Sequence, residues 1–422
     1  MTAFVLFGTF FLFMALTVPI GIALGIAGLV TAMYSSNISI TFLSQGLVTS
    51  TDNFALMAIP FFILAGEIMG KGGISTRLFD LANVFVGRFT GGFAMAAVIT
   101  SMFFAAISGS GPATVAAVGG IMIPAMVAQG YDKKFATAVI VASGSLGIII
   151  PPSIPMVLFG ISANESIGDL FIGGIVPGIF IGILMMIWSY FYSKKMGYKG
   201  VDEKFTFKKM FGAVNRAKWS LLVPIIILGG IYGGIFTPTE AAVVAVVYAL
   251  IVSAFLHKEV KFKDFYGIFK NSALSSVAIL IIIGTANAFG TILSMERIPQ
   301  VIADAFLSVS ENSTVILLMI ILLLLVIGCF IDTSAAVIIF TPILFPVALQ
   351  IGMDPVHFGV VMIVTLAIGF ITPPLGVNLF VGSGISGVGM PALVKAVIPF
   401  FIVLLIGLFL IAVIPELTLL FL

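Results

Sequence analysis

Charge is scarce in this sequence. Only 9% of its 422 residues are Asp, Glu, Lys or Arg, where soluble chains carry about 25%, and 61% are hydrophobic. So few charges cannot cover a water-facing surface, so the lipid bilayer is the solvent. Cysteine is scarcer still: Cys329 stands alone, which excludes an internal disulfide. With only His257 and His357 besides, no zinc site or Cys/His catalytic pair can be assembled, and an enzyme is not expected. Nineteen Lys and Arg against seventeen Asp and Glu leave a net charge of +2, which gives no reason to expect a nucleic-acid partner. No Lys or Arg precedes Lys71, so the apolar run 3–33 lacks the charged start of a secretory signal and exceeds one in length. It is expected as one retained first helix.

What is present is a series of long apolar runs. A hydrocarbon core of about 30 Å takes about 20 helical residues, and unpaired backbone is not tolerated in lipid. Spans are therefore expected at 3–33, 53–70, 135–160, 168–192, 219–236, 238–256, 271–296, 357–382 and 394–420. Two further runs, 93–129 and 313–350, are nearly twice a span in length and are interrupted at Ser108-Gly109-Ser110-Gly111-Pro112 and at Ile331-Asp332-Thr333-Ser334. Such a break suits a helical hairpin that enters and leaves on one side with its tip buried in protein. Lys194, Lys195, Lys199, Lys204, Lys208, Lys209, Arg216 and Lys218 crowd one connection and Lys258, Lys261, Lys263 and Lys270 another, which places both in the cytoplasm. The Lys133-Lys134 loop and the Lys71/Arg77/Arg88 segment fall on the same side. The outside loops 34–52, 161–167 and 297–312 hold only Arg297.

The chain also repeats itself. An offset of 222 residues lays Gly147-Ile148-Ile149-Ile150-Pro151-Pro152 on Gly369-Phe370-Ile371-Thr372-Pro373-Pro374, and Pro124, Gly130, Asp132 and Pro177 on Pro346, Gly352, Asp354 and Pro399. Over 108–160 against 330–382, 12 of 53 positions are identical, with Gly, Pro and Asp prominent. The 130–134 loop is basic and the 352–356 loop is not, so the copies are inverted, with 219–236 read as the extra span that flips the second. Inverted repeats built on broken helices mark secondary transporters, whose sites lie near the midplane. The fold class expected is an all-α polytopic membrane protein with two inverted-topology repeats, each a re-entrant hairpin plus a Pro-broken helix, of the elevator type.

Breaks free backbone oxygens that a continuous helix consumes. The candidate cation ligands are Ser108, Gly109, Ser110 and Pro112 with Ser143, Ser145, Ile148 and Pro151 in the first copy, and Asp332 and Thr333 with Thr365, Gly369, Thr372 and Pro373 in the second. These hard oxygens suit Na⁺. Ser110, Gly111, Ser153, Ser334, Pro374 and Asn378 are the candidates for substrate. Asp332 reads either as an ion-pathway acid or as a helix cap. Glu67 and Glu240 read either as packed or as pathway-lining, with Glu240 suited to a helix start. Asp132 and Asp354 read as caps, and the two histidines as structural. Few buried acids favour Na⁺ over protons as the driving ion, with a proton-coupled carrier or a passive channel as alternatives.

The stretches Ser108 to Thr114, Gly147 to Ser153, Thr237-Pro238-Thr239-Glu240-Ala241-Ala242 and Gly369 to Pro374 resemble those of the large membrane subunit of tripartite ATP-independent periplasmic (TRAP) transporters. The resemblance covers essentially the whole chain. It implies a bacterial inner-membrane protein and a Na⁺-driven elevator importing an organic acid such as sialic acid or a C4-dicarboxylate, with two or more Na⁺. It also implies two partners, a small four-helix membrane subunit and a periplasmic substrate-binding protein. The expected organisation is scaffold helices and cytoplasmic arm in 1–90, hairpin one and its broken helix in 91–165, and a scaffold helix with basic loop in 166–218. A linking helix and scaffold follow in 219–312, hairpin two and its broken helix in 313–385, and a C-terminal scaffold helix in 386–422.

Overall fold

The computed structural model describes residues 1–35, 39–200, 206–310 and 312–422, so Lys204 lies outside the described residues. Among them nine helices are long and apolar enough to cross a membrane, and the protein is an all-α multi-pass membrane protein. The run 3–33 is two helices, α1 (Thr2–Ala15) and α2 (Ile20–Tyr34). Thr17 turns left-handed at φ 61°, and Pro19 has no N–H to continue a helical ladder. α3 (Ile40–Thr49) occupies a stretch expected as loop. α4 (Ala58–Lys71) is entered through a 3₁₀ turn at Phe54–Met57, and α5 (Ile74–Val86) buries Ile74, Leu78, Leu81 and Ala82 along one face. The first hairpin is α6 (Gly92–Ser108) with α7 (Gly111–Ala128). The broken span is α8 (Lys133–Gly144), a 3₁₀ turn at Ser145–Ile148 and α9 (Ile154–Ala163), followed by α10 (Ile167–Met196).

The second half begins with α11 (Phe207–Tyr232) and α12 (Pro238–Leu250), which runs on into a π-helical turn at Ile251–Leu256. Next come α13 (Phe262–Met295) and α14 (Ile298–Val309), the latter again in a stretch expected as loop. Hairpin two is α15 (Ser313–Phe330) with α16 (Thr333–Gln350), and the second broken span is α17 (Pro355–Gly369) with α18 (Val377–Ser386). α19 (Met390–Val413) and the short α20 (Glu416–Leu419) complete the chain.

The 222-residue offset extends well beyond the motifs. It carries the end of α6 and start of α7, Ser108 and Gly111, onto Phe330 and Thr333. It carries α5 onto α14 within two residues at each of its ends, α2 onto the last part of α12 and its π turn, and α1 onto α11. The span 219–236 is therefore not an extra one. Once 3–33 is divided, α1 is its counterpart, falling by the same offset on the last part of α11 and the turn that follows it. Caps repeat as well. Asp132 accepts from the N–H groups of Lys134 and Phe135 at 2.8 and 3.1 Å, and Asp354 from those of Val356 and His357 at 2.9 and 3.0 Å. Thr237 and Glu240 form a reciprocal capping box. His357 is held by Thr418, Nδ1 lying 2.7 Å from Oγ1.

Helix packing separates two groups. α4 lies against α12 and α13, α2 against α13, and α11 against α12 and α5. In the other group α7 and α8 meet α18, α9 meets α16, and α15 meets α17. α10 and α19, expected as scaffold elements, pack into this second group against α6, α8 and α17. Glycines are the reason: a side chain at Gly174, Gly178 or Gly182 of α10 would strike Met156, Ile150 or Met102, so small residues let backbones approach where lipid gives no hydrophobic drive. The two groups touch where α5 and α4 meet α6 and where α13 and α14 meet α16.

Candidate functional site

Each hairpin tip is built to expose a helix start. α6 stops because Gly109 turns left-handed at φ 59°, a conformation that costs a glycine little. Ser110 is extended and caps α7, its Oγ accepting from Ala113 N at 3.4 Å, while Pro112 sits where no N–H is required. Ser108 Oγ meets Thr114 Oγ1 at 3.0 Å, and Thr114 Oγ1 donates to the Ser110 carbonyl at 2.8 Å, so the tip is knotted by hydroxyls. In the second tip Ile331 is extended and Asp332 caps α16, with Oδ2 accepting from Ser334 N at 2.9 Å. Capping was one of the two readings open for Asp332.

The broken spans supply the surfaces on which the tips rest. Both Pro151-Pro152 and Pro373-Pro374 peptide bonds are cis. Ser153 caps α9 and donates to the Ile148 carbonyl at 2.6 Å, and Thr372 Oγ1 donates to the Ile368 carbonyl at 2.7 Å. A side chain at Gly147 would strike the Ser110 carbonyl, and one at Gly369 would strike the Gly328 carbonyl. At two positions 222 residues apart, hairpin backbone lies directly on broken-helix backbone. The copies are also tied to each other. Asn378, fully buried, donates from Nδ2 to the Val141 carbonyl at 3.2 Å and to Ser145 Oγ at 3.5 Å.

Both tips reach one cavity of about 270 Å³. Its wall includes Ser108, Gly109, Ser110, Pro112 and Ile148 from the first copy and Asp332 and Ser334 from the second. The other sequence candidates are not on that wall. Ser143 bonds Ser101 Oγ at 2.9 Å and Thr365 bonds the Val361 carbonyl at 2.7 Å. Gly111, Ser145, Pro151, Thr333, Gly369, Thr372, Pro373, Ser153, Pro374 and Asn378 shape the tips and breaks behind it. Sequence reasoning missed Ser275 of α13 and Phe370, which join the wall together with Glu67 of α4. Glu67 had a signal, an acid within an apolar run, whereas a serine on a long helix carries none.

The cavity holds two carboxylates, several hydroxyls and the first turns of α7, α9 and α16, and no Lys or Arg lines it among the described residues. Helix starts attract anions through their free N–H groups and dipoles, while carboxylate and hydroxyl oxygens ligate a hard cation. Among the described residues no cluster of three His, Cys, Asp or Glu could hold a metal. The arrangement is able to take an anion and a small cation side by side. A second cleft, of about 560 Å³, begins one turn further along α13 at Ile283 and is lined by Asp52, Asn53, Asn287, Thr291 and Ser294 together with Ser162 and Pro342.

Residues 7–417 match the family model described as tripartite ATP-independent periplasmic transporter, DctM component. The isethionate TRAP transporter permease protein DctMQ of Oleidesulfovibrio alaskensis is 49% identical over 99% of this chain, which spans 66% of that relative, just under two thirds of its length. The C4-dicarboxylate TRAP transporter large permease protein DctM of Pseudomonas aeruginosa is 40% identical, over 94% of this chain and 93% of the relative. The sialic acid TRAP transporter large permease protein SiaM of Vibrio cholerae is 38% identical, over 95% and 94%. These relatives are named as permeases, not enzymes. The crystal structure of the Alcanivorax borkumensis YdaH transporter shares the fold, with a TM-score of 0.62 at 15% identity over 89% of this chain and 88% of that one.

Proposed function

We propose that this chain, which belongs to the DctM component family of tripartite ATP-independent periplasmic transporters, is the subunit through which a small organic anion crosses the membrane together with Na⁺. The observation that carries this reading is the convergence of both hairpin tips, Ser108–Ser110 and Asp332–Ser334, on one cavity. Helix starts there receive the anion, and Na⁺ is held by Ser and Asp oxygens of the tips. With no basic side chain on the wall, one acid group per substrate is the best match. A short sulfonate comes first, since a 49%-identical relative is named for isethionate; sialic acid and a C4-dicarboxylate remain alternative outcomes of the same assay. Two Na⁺ with one monoanion carry a net charge of +1, worth about 2.3 kcal/mol per 100 mV. Two tenfold gradients add about 2.8 kcal/mol.

Movement follows from the two packing groups. The tip cavity is closed on one side by Glu67 of α4 and by Ser275 and Ile279 of α13, while the second cleft runs along α13 from Ile283 to Met295. The hairpin group, carrying α10 and α19, slides along α13 between these levels. A small membrane subunit steadies the other group, and a periplasmic binding protein delivers the anion to the Asp52 side in the bacterial inner membrane.

The test is uptake of radiolabelled isethionate, succinate and sialic acid into proteoliposomes holding this chain and its small subunit, with the binding protein outside. Accumulation should require an imposed Na⁺ gradient, and accumulation indifferent to Na⁺ would refute the coupling. The presence of both Glu67 and Asp332 on the wall favours a second reading, proton symport. In that case a pH gradient alone drives uptake.

A further inference from the structure

Another cavity lies away from both tips. It measures about 590 Å³ and opens between the start of α8, the last turns of α10 and the first turns of α19. None of its lining residues lines the tip cavity. We infer that it binds the phosphate group of an anionic phospholipid, whose acyl chains lie along α10 and α19.

Two lysines, Lys134 and Lys395, stand on its wall, both exposed. Among the described residues the one ion pair is Arg77–Glu259, so no described carboxylate neutralises either lysine. The single acid on the wall, Asp132, is engaged in capping α8 through the N–H groups of Lys134 and Phe135. Along α10, Lys195 lies on the same stripe as Trp188 and Tyr192, at i, i+4 and i+7.

The remainder of the wall is aromatic. Phe135 stacks on Tyr192 at 4.1 Å and meets Phe400 at 6.2 Å, and Trp188 occupies the level at which indoles mark a membrane interface. The same two helices carry exposed apolar tracks, Ile179, Ile183 and Ile187 on α10 and Ile398, Ile402 and Ile406 on α19. A soluble anion has no use for such tracks. A lipid uses the charged mouth for its headgroup and the tracks for its chains.

Native mass spectrometry of the full chain with its small subunit, titrated with phosphatidylglycerol and phosphatidylcholine, tests this. The wild type should retain phosphatidylglycerol about 25-fold more tightly, and K134Q/K395Q should lose that preference, since each surface lysine is worth about fivefold. K134R/K395R should keep it. Ala396→Trp, which fills the cavity and alters no charge, should remove it too. Unchanged thermal midpoints show that the lysine variants fold, because both side chains are exposed. Equal retention of the two lipids by the wild type, or an unaltered preference in K134Q/K395Q and Ala396→Trp, would overturn the assignment. Displacement of the lipid by inorganic phosphate alone would give the site to a soluble anion and overturn it as well.

Discussion

Asn378 and Val141 are 237 residues apart in the chain and 3.2 Å apart in the fold, the amide Nδ2 of one donating to the carbonyl of the other. The bond joins the second broken span to the first in a region without solvent. Replacing Asn378 by Leu removes the donor and puts a bulkier side chain beside Gly144 and Gly111, which both lie close to it. A loss of about 1–3 kcal/mol is expected. The thermal midpoint of the purified protein should fall, and uptake should fall with it.

Gly147 and Gly369 each admit a hairpin carbonyl where a side chain would collide. Gly147→Ala and Gly369→Ala should each cost about 1–3 kcal/mol through overpacking and cut uptake at least about tenfold at normal membrane levels. Gly120 and Gly229 are helical glycines with nothing within 4 Å of an added Cβ. Alanine there should be neutral or stabilising by up to about 1 kcal/mol. Equal effects at all four sites would remove the close-approach argument.

Asp332 is both a cap and a wall residue, and two substitutions separate the roles. Asn caps as well as Asp does, whereas Ala does not. If the charge ligates a cation, Asp332→Asn and Asp332→Ala both abolish Na⁺-driven uptake. Activity in the Asn variant, with only Ala impaired by about 1 kcal/mol, would leave capping as its whole function. Glu67→Gln, measured with a Na⁺ gradient and with a pH gradient, shows which ion the second acid serves.

Ser275 and Ser334 line the same cavity from opposite packing groups. With Cys329 replaced by Ser, Ser275→Cys with Ser334→Cys should link through a short bifunctional thiol reagent and arrest uptake, and a reducible linker should release it. Continued transport by the linked protein would mean that the two groups do not slide.

At the basic end, His257 Nδ1 lies 3.0 Å from the Gly72 carbonyl. A carbonyl only accepts, so Nδ1 holds the proton and Nε2, buried without a partner, would be the site of a second. Burial therefore lowers the His257 pKa from its usual value, with the Gly72 bond opposing. A lowered folded-state pKa gives stability that is complete above about pH 6.5 and is lost as pH falls through the folded value. Hydrogen exchange near Gly72 and Glu259 should quicken on acidification, and His257→Gln should abolish that dependence.

Much of the architecture is legible in the sequence because breaks in membrane helices need Gly and Pro, and those residues recur at a fixed offset. The hairpin ends, both Pro-Pro breaks and the caps at Asp132, Asp354 and Thr237-Glu240 are local, and local chemistry specifies them. The division at Thr17 is less visible, since its left-handed backbone sits on a residue that does not advertise it and only Pro19 gives a sign. α3 and α14 were hidden for a different reason: short helices between spans leave no gap in hydropathy. That α10 and α19 join the hairpin group depends on which glycine face meets which partner. Ser275 reaches the cavity through packing of distant helices, which no spacing in one chain encodes.

The equivalence of α1 with α11 bears on how the protein is made. No Lys or Arg occurs between Arg297 and Lys395, so hairpin two and its broken span emerge from the ribosome without basic residues of their own to hold them on one side. Their handedness with respect to the bilayer is inherited from the lysines at 258–270, already committed when they arrive. The first copy is its own signpost; the second is a passenger threaded in the direction its predecessor dictates.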